Sequence, residues 1–247
     1  MKIIPPLQVD FTDKVLLVTG AAGGIGAAVT RRALAAGARV AAFDQAAQKL
    51  DAHQNLLRFQ GDVTDEAAFI DIVALIRERW KRLDGLVSCA GRVGAGHVEA
   101  LELVDWNCVL QTNLTGTFLA CKHAIPLLRE TAGTIINLSS TNGLTGGSAL
   151  SGLAYAAARA GIIALTKNLA RDLAADGIRV NAIAPGPIDT PMLDRLSPEV
   201  VTQLRDNIPP GAIGGADDVA DLVFFLSSPA ARYITGVTVN LSGGMVM

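Results

Sequence analysis

Residues 14–44 read KVLLVTGAAGGIGAAVTRRALAAGARVAAFD, and this stretch decides the fold. The apolar runs 14–19 and 39–44 predict two buried strands. The helical periodicity of 24–37, which stops at Gly37, predicts a helix between them. A strand, a helix and a second strand of these lengths form a right-handed crossover between parallel strands. The stretch therefore predicts the first βαβ unit of a parallel sheet.

The alternation of short apolar runs with helical segments continues along the rest of the chain. Further strands are predicted at 56–61, 84–89, 134–139, 178–184 and 237–241. Helices are predicted at 65–82, with Thr64 as N-cap, and at 105–128, 152–175 and 216–227. This pattern predicts an α/β fold with a doubly wound parallel sheet and helices on both faces.

The composition indicates a globular protein without a strongly charged partner surface. The 247 residues are half apolar and carry a net charge of −2, which argues against disorder and against a nucleic-acid partner. We expect one domain over residues 1–247. Residues 1–11 contain Pro5 and Pro6 and lack a long apolar core, so we predict neither a signal peptide nor a membrane span, and hence a cytoplasmic protein.

The cysteines and histidines do not indicate a metal centre. Cys89, Cys108 and Cys121 are too few and too scattered for a disulfide framework or a zinc cluster. We therefore predict free thiols in a reducing compartment. The three histidines are not at the spacing of metal ligands, so no metal site is predicted.

A glycine-rich turn joins the first predicted strand to the first predicted helix. In such a turn the backbone can approach a pyrophosphate, and the helix N-terminus supplies unpaired N–H groups and a positive dipole end. The context of a strand before and a helix after predicts dinucleotide binding. The candidate cofactor-binding residues in the turn are Gly20, Gly24, Ile25 and Gly26.

Asp44, at the end of the second predicted strand, indicates which dinucleotide is bound. Its carboxylate can accept hydrogen bonds from both ribose hydroxyls and would repel a 2′-phosphate. The turn 20–26 contains no basic residue and Gln45 follows Asp44, so the sequence favours NAD over NADP.

The turns after the third and fourth predicted strands are further candidates for cofactor contact. Asp62 and Val63 could hold the edge of the adenine ring, and Ala90 and Gly91 could allow a close backbone approach. Both pairs could equally be ordinary βα turns.

The segment 134–159 carries the most reactive side chains. A buried strand ends at Ser139 and Ser140, and an Ala-rich helix then carries Tyr155 and Arg159. Residues i and i+4 of a helix lie on one face, so the phenol and the cation point the same way. A nearby cation stabilises a phenolate, which can serve as the base in the oxidation of an alcohol.

Taken together, these motifs resemble the short-chain dehydrogenase/reductase family over essentially the whole chain. The resemblance rests on the TGAAGGIG turn, Asp44, Asp62-Val63, the SCAG segment 88–91, Asn113, Ser139-Ser140, Tyr155 and the segment NAIAPGPIDT at 181–190. It implies a single Rossmann-like domain with a seven-stranded parallel sheet, a nicotinamide cofactor, and hydride transfer at an alcohol or carbonyl carbon. It also implies a homotetramer, or a homodimer, packed through the helices 105–128 and 152–175.

The same resemblance implies roles for individual residues. Tyr155 matches the catalytic tyrosine, Ser140 the catalytic serine, and Asn113 the asparagine that holds a helix open around a water. Ser139 is a weaker candidate for the serine. The residues that match the nicotinamide-contacting segment are Pro185, Gly186, Ile188 and Thr190.

Arg159 stands where the family has a lysine that lowers the pKa of the tyrosine, binds the nicotinamide ribose and passes protons onward. Arginine can supply the charge and the donors, but it does not readily release a proton. Lys167, twelve residues beyond Tyr155 on the same helix, lies about 18 Å away along the axis and is not an easy substitute.

Three alternatives follow from the arginine. The protein is an active enzyme with a rearranged relay, a slow enzyme for an unusual substrate, or an NAD-binding protein without catalysis that has a regulatory or assembly role. In the second alternative, Arg159 could help to bind a substrate carboxylate.

Three segments are predicted to surround the substrate, namely 92–98, 144–153 and 189–213. Residues 186–215 are predicted to form a lid that includes a helical stretch at 198–207. Apolar side chains in the lid suit a hydrophobic substrate, although ordinary packing explains them equally well. Arg92 and His97 could contact a polar substituent, or could simply be solvated loop residues.

Overall fold

The computed structural model describes residues 10–47 and 50–247. Most of the segment for which we predicted no signal peptide, residues 1–9, therefore lies outside the described residues. The strands are β1 (Val15–Thr19), β2 (Arg39–Asp44), β3 (Leu56–Gln60), β4 (Gly85–Ser88), β5 (Thr134–Leu138), β6 (Arg179–Pro185), β7 (Ile188–Asp189), β8 (Gly214–Gly215) and β9 (Thr238–Leu241). Seven of them form one parallel sheet in the order β3-β2-β1-β4-β5-β6-β9. The strand order reverses between β1 and β4, which is the switch point of a doubly wound sheet.

Helices cover both faces of this sheet. They are α1 (Gly24–Ala35), α2 (Glu66–Trp80), α3 (Leu103–Leu110), α4 (Gly116–Arg129), α5 (Thr141–Thr145), α6 (Leu153–Asp172), α7 (Pro198–Asp206) and α8 (Ala216–Ser227). Helices α1 and α8 pack on one face, and α2, α4 and α6 pack on the other. The predicted α/β class, with about seven parallel strands between two helical layers, is confirmed. No helix of the described ranges is both long and apolar enough to cross a bilayer.

Two apolar cores lie above and below the sheet because successive side chains of a strand point to opposite faces. In β1, Leu17 packs in the core with α2, α4 and α6, whereas Leu16 and Val18 pack in the core with α1 and α8. The inner strand β1 is therefore buried along its whole length, as expected of a sheet covered on both sides, whereas the edge strand β3 is partly exposed. Since all seven strands are parallel, their carboxyl ends meet at one edge, and the candidate residues collect there.

The helix α2 begins one residue later than predicted. Its N-cap is Asp65, whose carboxylate accepts a hydrogen bond of 2.9 Å from the Ala67 amide. The predicted cap, Thr64, is wrong because its hydroxyl donates to the Asp62 carboxylate at 2.9 Å and so belongs to the preceding turn.

The predicted single helix 105–128 is interrupted by a π-helical turn at Gln111–Thr115, between α3 and α4. Asn113 lies at the centre of this turn and is fully buried. Its side-chain amide donates to the Val109 carbonyl at 2.8 Å and thereby competes with the backbone ladder of the helix. The π-helical turn thus coincides with Asn113, one of the predicted catalytic residues.

Candidate active site

A groove with a volume of about 1260 Å³ runs along the carboxyl edge of the sheet. It brings together every predicted site residue except Asn113, which lies behind its wall. The predicted residues that line the groove are Gly20, Gly24, Ile25, Gly26, Asp44, Asp62, Val63, Ala90, Gly91, Ser140, Tyr155, Arg159, Pro185, Gly186, Ile188 and Thr190.

The glycine turn after β1 has the shape required for a bound pyrophosphate. A Cβ atom on Gly26 would overlap the Gly20 carbonyl oxygen, so the tight turn requires glycine at that position. Gly23 caps α1 without a side-chain hydrogen bond, and the first turn of α1, which lies wholly within the described residues, holds no acidic side chain. Its first amides can therefore donate to an anion. The turn fits the phosphates of a dinucleotide.

Asp44 is held rigidly at the end of β2. One carboxylate oxygen accepts a hydrogen bond from the Ala22 amide and the other accepts one from the Ala46 amide, both at 2.9 Å. Each oxygen keeps a further lone pair for a ligand in the groove. The two backbone amides thus hold the carboxylate in one orientation.

The turns after β3 and β4 are shaped by contacts of their own. The Asp62 carboxylate accepts from the Thr64 amide at 2.8 Å, and Val63 packs beneath α4, where a Cβ atom on Gly116 would lie 3.0 Å from it. The Ala90 amide donates to the Thr19 hydroxyl at 3.3 Å. These bonds place the two turns beside the glycine turn.

Ser139 and Ser140, which are adjacent at the end of β5, have different environments. The Ser139 hydroxyl donates to the Arg159 carbonyl at 2.8 Å and so ties the strand to α6. The Ser140 hydroxyl accepts from the Asn142 amide at 3.1 Å and caps the short helix α5, which the sequence did not predict. Its O–H proton stays available to donate to a ligand, so the geometry favours Ser140 over Ser139 as the serine that binds substrate.

Tyr155 and Arg159 lie on one face of α6, as the i and i+4 spacing predicted. Their exposed fractions are 6% and 4%, so both are almost withdrawn from solvent. The guanidinium carbon of Arg159 lies 4.8 Å from the centroid of the Tyr155 ring, which is within the range of a cation–π contact. Arg159 also donates from Nη1 to the Leu138 carbonyl at the end of β5. The cation is therefore fixed between the phenol ring and the sheet.

The guanidinium of Arg159 fits because position 91 is glycine. A Cβ atom on Gly91 would overlap Arg159 Nη2 and would lie 2.7 Å from the Oδ1 atom of Asn113. Asn113 donates from Nδ2 to the Arg92 carbonyl at 2.8 Å, but its Oδ1 atom and the Nε atom of Arg159 have no hydrogen-bond partner within the described part of the chain. Two unsatisfied polar atoms therefore lie directly behind the groove wall.

Two thiols, Cys89 at the groove and Cys121 of α4 in the core, have raised pKa values. Burial raises the pKa of the Cys89 thiol to about 12, although the positive charge of Arg159 opposes this shift. Burial likewise raises the pKa of Cys121 to about 12. Cys89 lines the groove as a compact side chain, and its raised pKa disfavours the nucleophilic thiolate. The described cysteines are all free, as predicted.

Parts of the groove wall were missed from the sequence. Cys108, Gln111 and Thr112 line it from the helical face next to Asn113, and their i, i+3, i+4 spacing is a signal that could have identified them. Met245 and Val246 also line it, and no local pattern points to them. Of the predicted segment 92–98 only Arg92 and Val93 reach the groove, so His97 does not contact it.

The predicted lid is anchored at both ends. The strands β7 and β8 pair in parallel, and the Gly214 amide donates to the Pro187 carbonyl at 3.3 Å. The chain between them carries α7. From it, Met192, Leu193, Leu196 and Leu204 line the groove. The segment thus covers one side of the groove from a fixed base.

Comparisons with known proteins show which family the chain is similar to. A family model described as enoyl-(acyl carrier protein) reductase matches residues 20–246. The chain is 34% identical to a 3-oxoacyl-[acyl-carrier-protein] reductase of Thermotoga maritima, with 95% of this chain and 98% of that protein covered. It is 37% identical to a (3R)-3-hydroxyacyl-CoA dehydrogenase of Homo sapiens, with 98% of each covered.

A solved structure extends the likeness to three dimensions. It is a short-chain dehydrogenase/reductase, titled glucose/ribitol dehydrogenase, from Brucella melitensis. It superposes with a TM-score of 0.92 at 31% identity and covers 98% of this chain and 100% of its own. The switch-point groove, the family model and these relatives lead to one conclusion: this chain belongs to the short-chain dehydrogenase/reductase family, oxidoreductases that act on CH–OH groups.

Proposed function

We propose that this protein is an NAD(H)-dependent oxidoreductase that interconverts a secondary alcohol and a ketone. The observation that carries the proposal is that Ser140, Tyr155 and Arg159 line one groove with the glycine turn and Asp44. The relatives support the reaction class, because their names pair a 3-oxoacyl group with its reductase and a 3-hydroxyacyl group with its dehydrogenase.

The cofactor proposal rests on Asp44. Two backbone amides hold its carboxylate in place, so a 2′-phosphate would meet a fixed negative charge, whereas ribose hydroxyls would donate to it. The glycine turn would hold the pyrophosphate, Asp62 and Val63 would contact the adenine, and Ala90 and Gly91 would allow close approach. The nicotinamide would lie against Pro185, Gly186, Ile188 and Thr190. When bound, NAD accepts the hydride in oxidation and NADH supplies it in reduction.

The mechanism assigns one task to each polar side chain. In oxidation, Ser140 donates a hydrogen bond to the substrate oxygen, and the Tyr155 phenolate takes the hydroxyl proton as the carbon gives up its hydride. Reduction runs in reverse, with Tyr155 returning the proton to the oxygen. Arg159, held against the phenol ring, stabilises the phenolate electrostatically and positions the ring. Asn113 supports the cluster from behind the wall.

A second candidate function follows from the fixation of Arg159. Its guanidinium is buried, bonded to the Leu138 carbonyl and unable to release a proton at physiological pH. A site of this kind would bind NAD without passing the substrate proton to solvent. The alternative is therefore a catalytically impaired NAD-binding protein with a regulatory or assembly role.

The experiment that tests the main proposal uses Tyr155→Phe. We expect this substitution to lower kcat at least about 100-fold, because it removes the acid–base group. It should leave the Kd for NADH, measured by fluorescence titration, unchanged within about twofold. Ser140→Ala should lower kcat as well, while Ser139→Ala is the matched control and should retain turnover. Unchanged activity of Tyr155→Phe across secondary alcohols and ketones would remove the mechanism.

Arg159→Lys distinguishes the two candidates. If the arginine has only interrupted a proton relay, lysine should raise kcat and broaden the pH range of activity. If the arginine is an adapted part of an active site, lysine should lower kcat. If both the native protein and Arg159→Lys bind NADH tightly but turn over no secondary alcohol or ketone, the binding-protein alternative is favoured.

A further inference from the structure

The charges of the groove are divided between its two ends. Its acidic lining residues, Asp44 and Asp62, follow β2 and β3, on one side of the glycine turn. Its cationic lining residues are Arg92, Arg159 and Arg195. Arg92 follows β4, Arg159 contacts the end of β5, and Arg195 lies in the segment after β6. Because these strands lie on opposite sides of β1, the adenosine end of the groove is negative and the substrate end is positive.

Two of these arginines pair with no carboxylate among residues 10–47 and 50–247. Arg92 donates to the Cys108 sulfur at 2.8 Å, and neither Arg92 nor Arg195 forms an ion pair with any carboxylate in the described ranges. Asp194, the chain neighbour of Arg195, does not line the groove. Both guanidinium groups are therefore available to a ligand that enters from solvent.

Apolar side chains that line the groove are neighbours of the two arginines along the chain. Val93 and the lid residues Leu193 and Leu196 line the groove next to them in sequence, and Met245 and Val246 line it as well. No acidic side chain among the described residues lines this end, so a ligand cation would have no partner there. The combination suits a molecule with an apolar body and an anionic group.

We propose that the substrate is anionic and that Arg92 and Arg195 are the residues that select its charged group. The inference rests on the proposed alcohol–ketone chemistry, which takes place deeper in the groove at Tyr155. The group recognised is an oxygen anion, because a guanidinium fork matches carboxylate and phosphate oxygens. Such an anion has two sources, a carboxylate on a small free acid or a phosphate on a carrier arm.

The test compares pairs of ligands in which one member carries a negative group and the other has a neutral group, or none, in its place. One pair is 3-oxohexanoate and its ethyl ester, and the other is 3-oxohexanoyl phosphopantetheine and 3-oxohexanoyl pantetheine. Binding is measured by calorimetry on the full chain saturated with oxidised cofactor, where a ketone cannot be reduced. We expect the anionic member of at least one pair to bind about tenfold more tightly at low salt, with the preference shrinking as salt is added.

The variants Arg92→Gln and Arg195→Gln should each weaken binding of the preferred anion about tenfold and change binding of the neutral partner less than twofold. Arg31→Gln, an exposed position on α1 outside the groove, removes the same charge and should have no effect. A preference confined to the acid pair identifies a free acid, and one confined to the pantetheine pair identifies a carrier-bound substrate.

Equal binding of both members in both pairs, or a preference that survives both substitutions, would overturn the inference. Hydride transfer is then measured separately with reduced cofactor. Probes that bind with the expected charge preference but are never reduced would contradict the proposed function and leave the anion site standing.

Discussion

Single side chains at the carboxyl edge of the sheet take their roles from what they touch. Ser139 and Ser140 are chemically identical, yet one bonds to the Arg159 carbonyl and the other caps α5. Arg159 itself is held by the Leu138 carbonyl and by the face of Tyr155. A lysine ammonium is a compact, mobile donor, whereas this guanidinium is a fixed plane of charge. The contacts of Arg159 therefore fix both the position and the direction of its charge in the site.

Asp44→Ser tests cofactor selection at the scale of one residue. Removing the carboxylate takes away an acceptor for the ribose hydroxyls and a charge that repels a 2′-phosphate. We expect the Kd for NADH to rise and the Kd for NADPH to fall, so that their ratio changes at least about tenfold. Fluorescence titration of both cofactors measures this, with Asp51→Ser as an exposed control outside the groove. Equal affinity of the native protein for both would contradict the NAD assignment.

At the scale of elements, the amino ends of three neighbouring strands are joined through one residue. The Asp84 amide, just before β4, donates a hydrogen bond to the Val15 carbonyl of β1, and the Asp84 carbonyl accepts one from the Thr134 amide of β5. Its carboxylate accepts from the Val15 amide at 2.9 Å and from Arg82 at 2.7 and 2.9 Å. The register at this edge therefore depends on local polar contacts as well as on apolar packing.

Asp84→Asn should reduce the dependence of stability on pH. Burial is the largest single influence on the pKa of the Asp84 carboxyl, and it raises that pKa. Together, the hydrogen bonds from Arg82 and Val15 and the charge of Lys14 outweigh burial and hold the pKa below its usual range. A lowered native pKa stabilises the fold above the unfolded value near 4, and this contribution is lost as the pH falls through the native value.

Urea unfolding at pH 7 and pH 3 measures the effect. At pH 7 the variant should be less stable by about 1–3 kcal/mol, because charge-assisted hydrogen bonds are lost. At pH 3 the difference should shrink. The control Asp71→Asn, on the exposed face of α2, should have the same free energy of unfolding as the native protein at both pH values. An equal deficit at both pH values would show that the charge of Asp84 is not the cause.

At the scale of the whole molecule, apolar side chains remain exposed on helices at one side of the sheet. Leu103 and Val104 of α3 are 70% and 71% exposed, and Phe118 of α4 is 45% exposed. Apolar patches of this kind often mark contacts between chains. They lie on or next to the helical segment 105–128, through which we predicted assembly into a tetramer or dimer.

Phe118→Asp should weaken that assembly. Placing a carboxylate in an apolar interface leaves a charge without a partner and costs binding energy. Sedimentation should show a tetramer or dimer for the native protein and a smaller species for the variant at low micromolar concentration. Ile70→Asp, at an exposed apolar position on α2 and so outside both predicted helices, is the matched control. A native protein that sediments as a monomer would contradict the prediction.

Local sequence patterns predicted the seven strands of the main sheet, the helices between them, the glycine turn and the acid at the end of β2. Each of these follows from local rules: the periodicity of apolar residues, the conformational freedom of glycine and the spacing along a helix. These rules also placed Tyr155 and Arg159 on one face of α6. Thr64 as a cap and the uninterrupted helix 105–128 were wrong, because side-chain hydrogen bonds to nearby groups outweighed the pattern.

Which side chains meet across the groove depends on how the helices and strands pack in three dimensions. The bond from Arg159 to the Leu138 carbonyl, the different partners of Ser139 and Ser140, and the approach of Met245 and Val246 join residues far apart in the chain. No local pattern encodes such contacts, because they depend on how helices and strands pack against one another. The positive end of the groove is of the same kind, since Arg92 and Arg195 line one groove only because the sheet places β4 and β6 on the same side of β1.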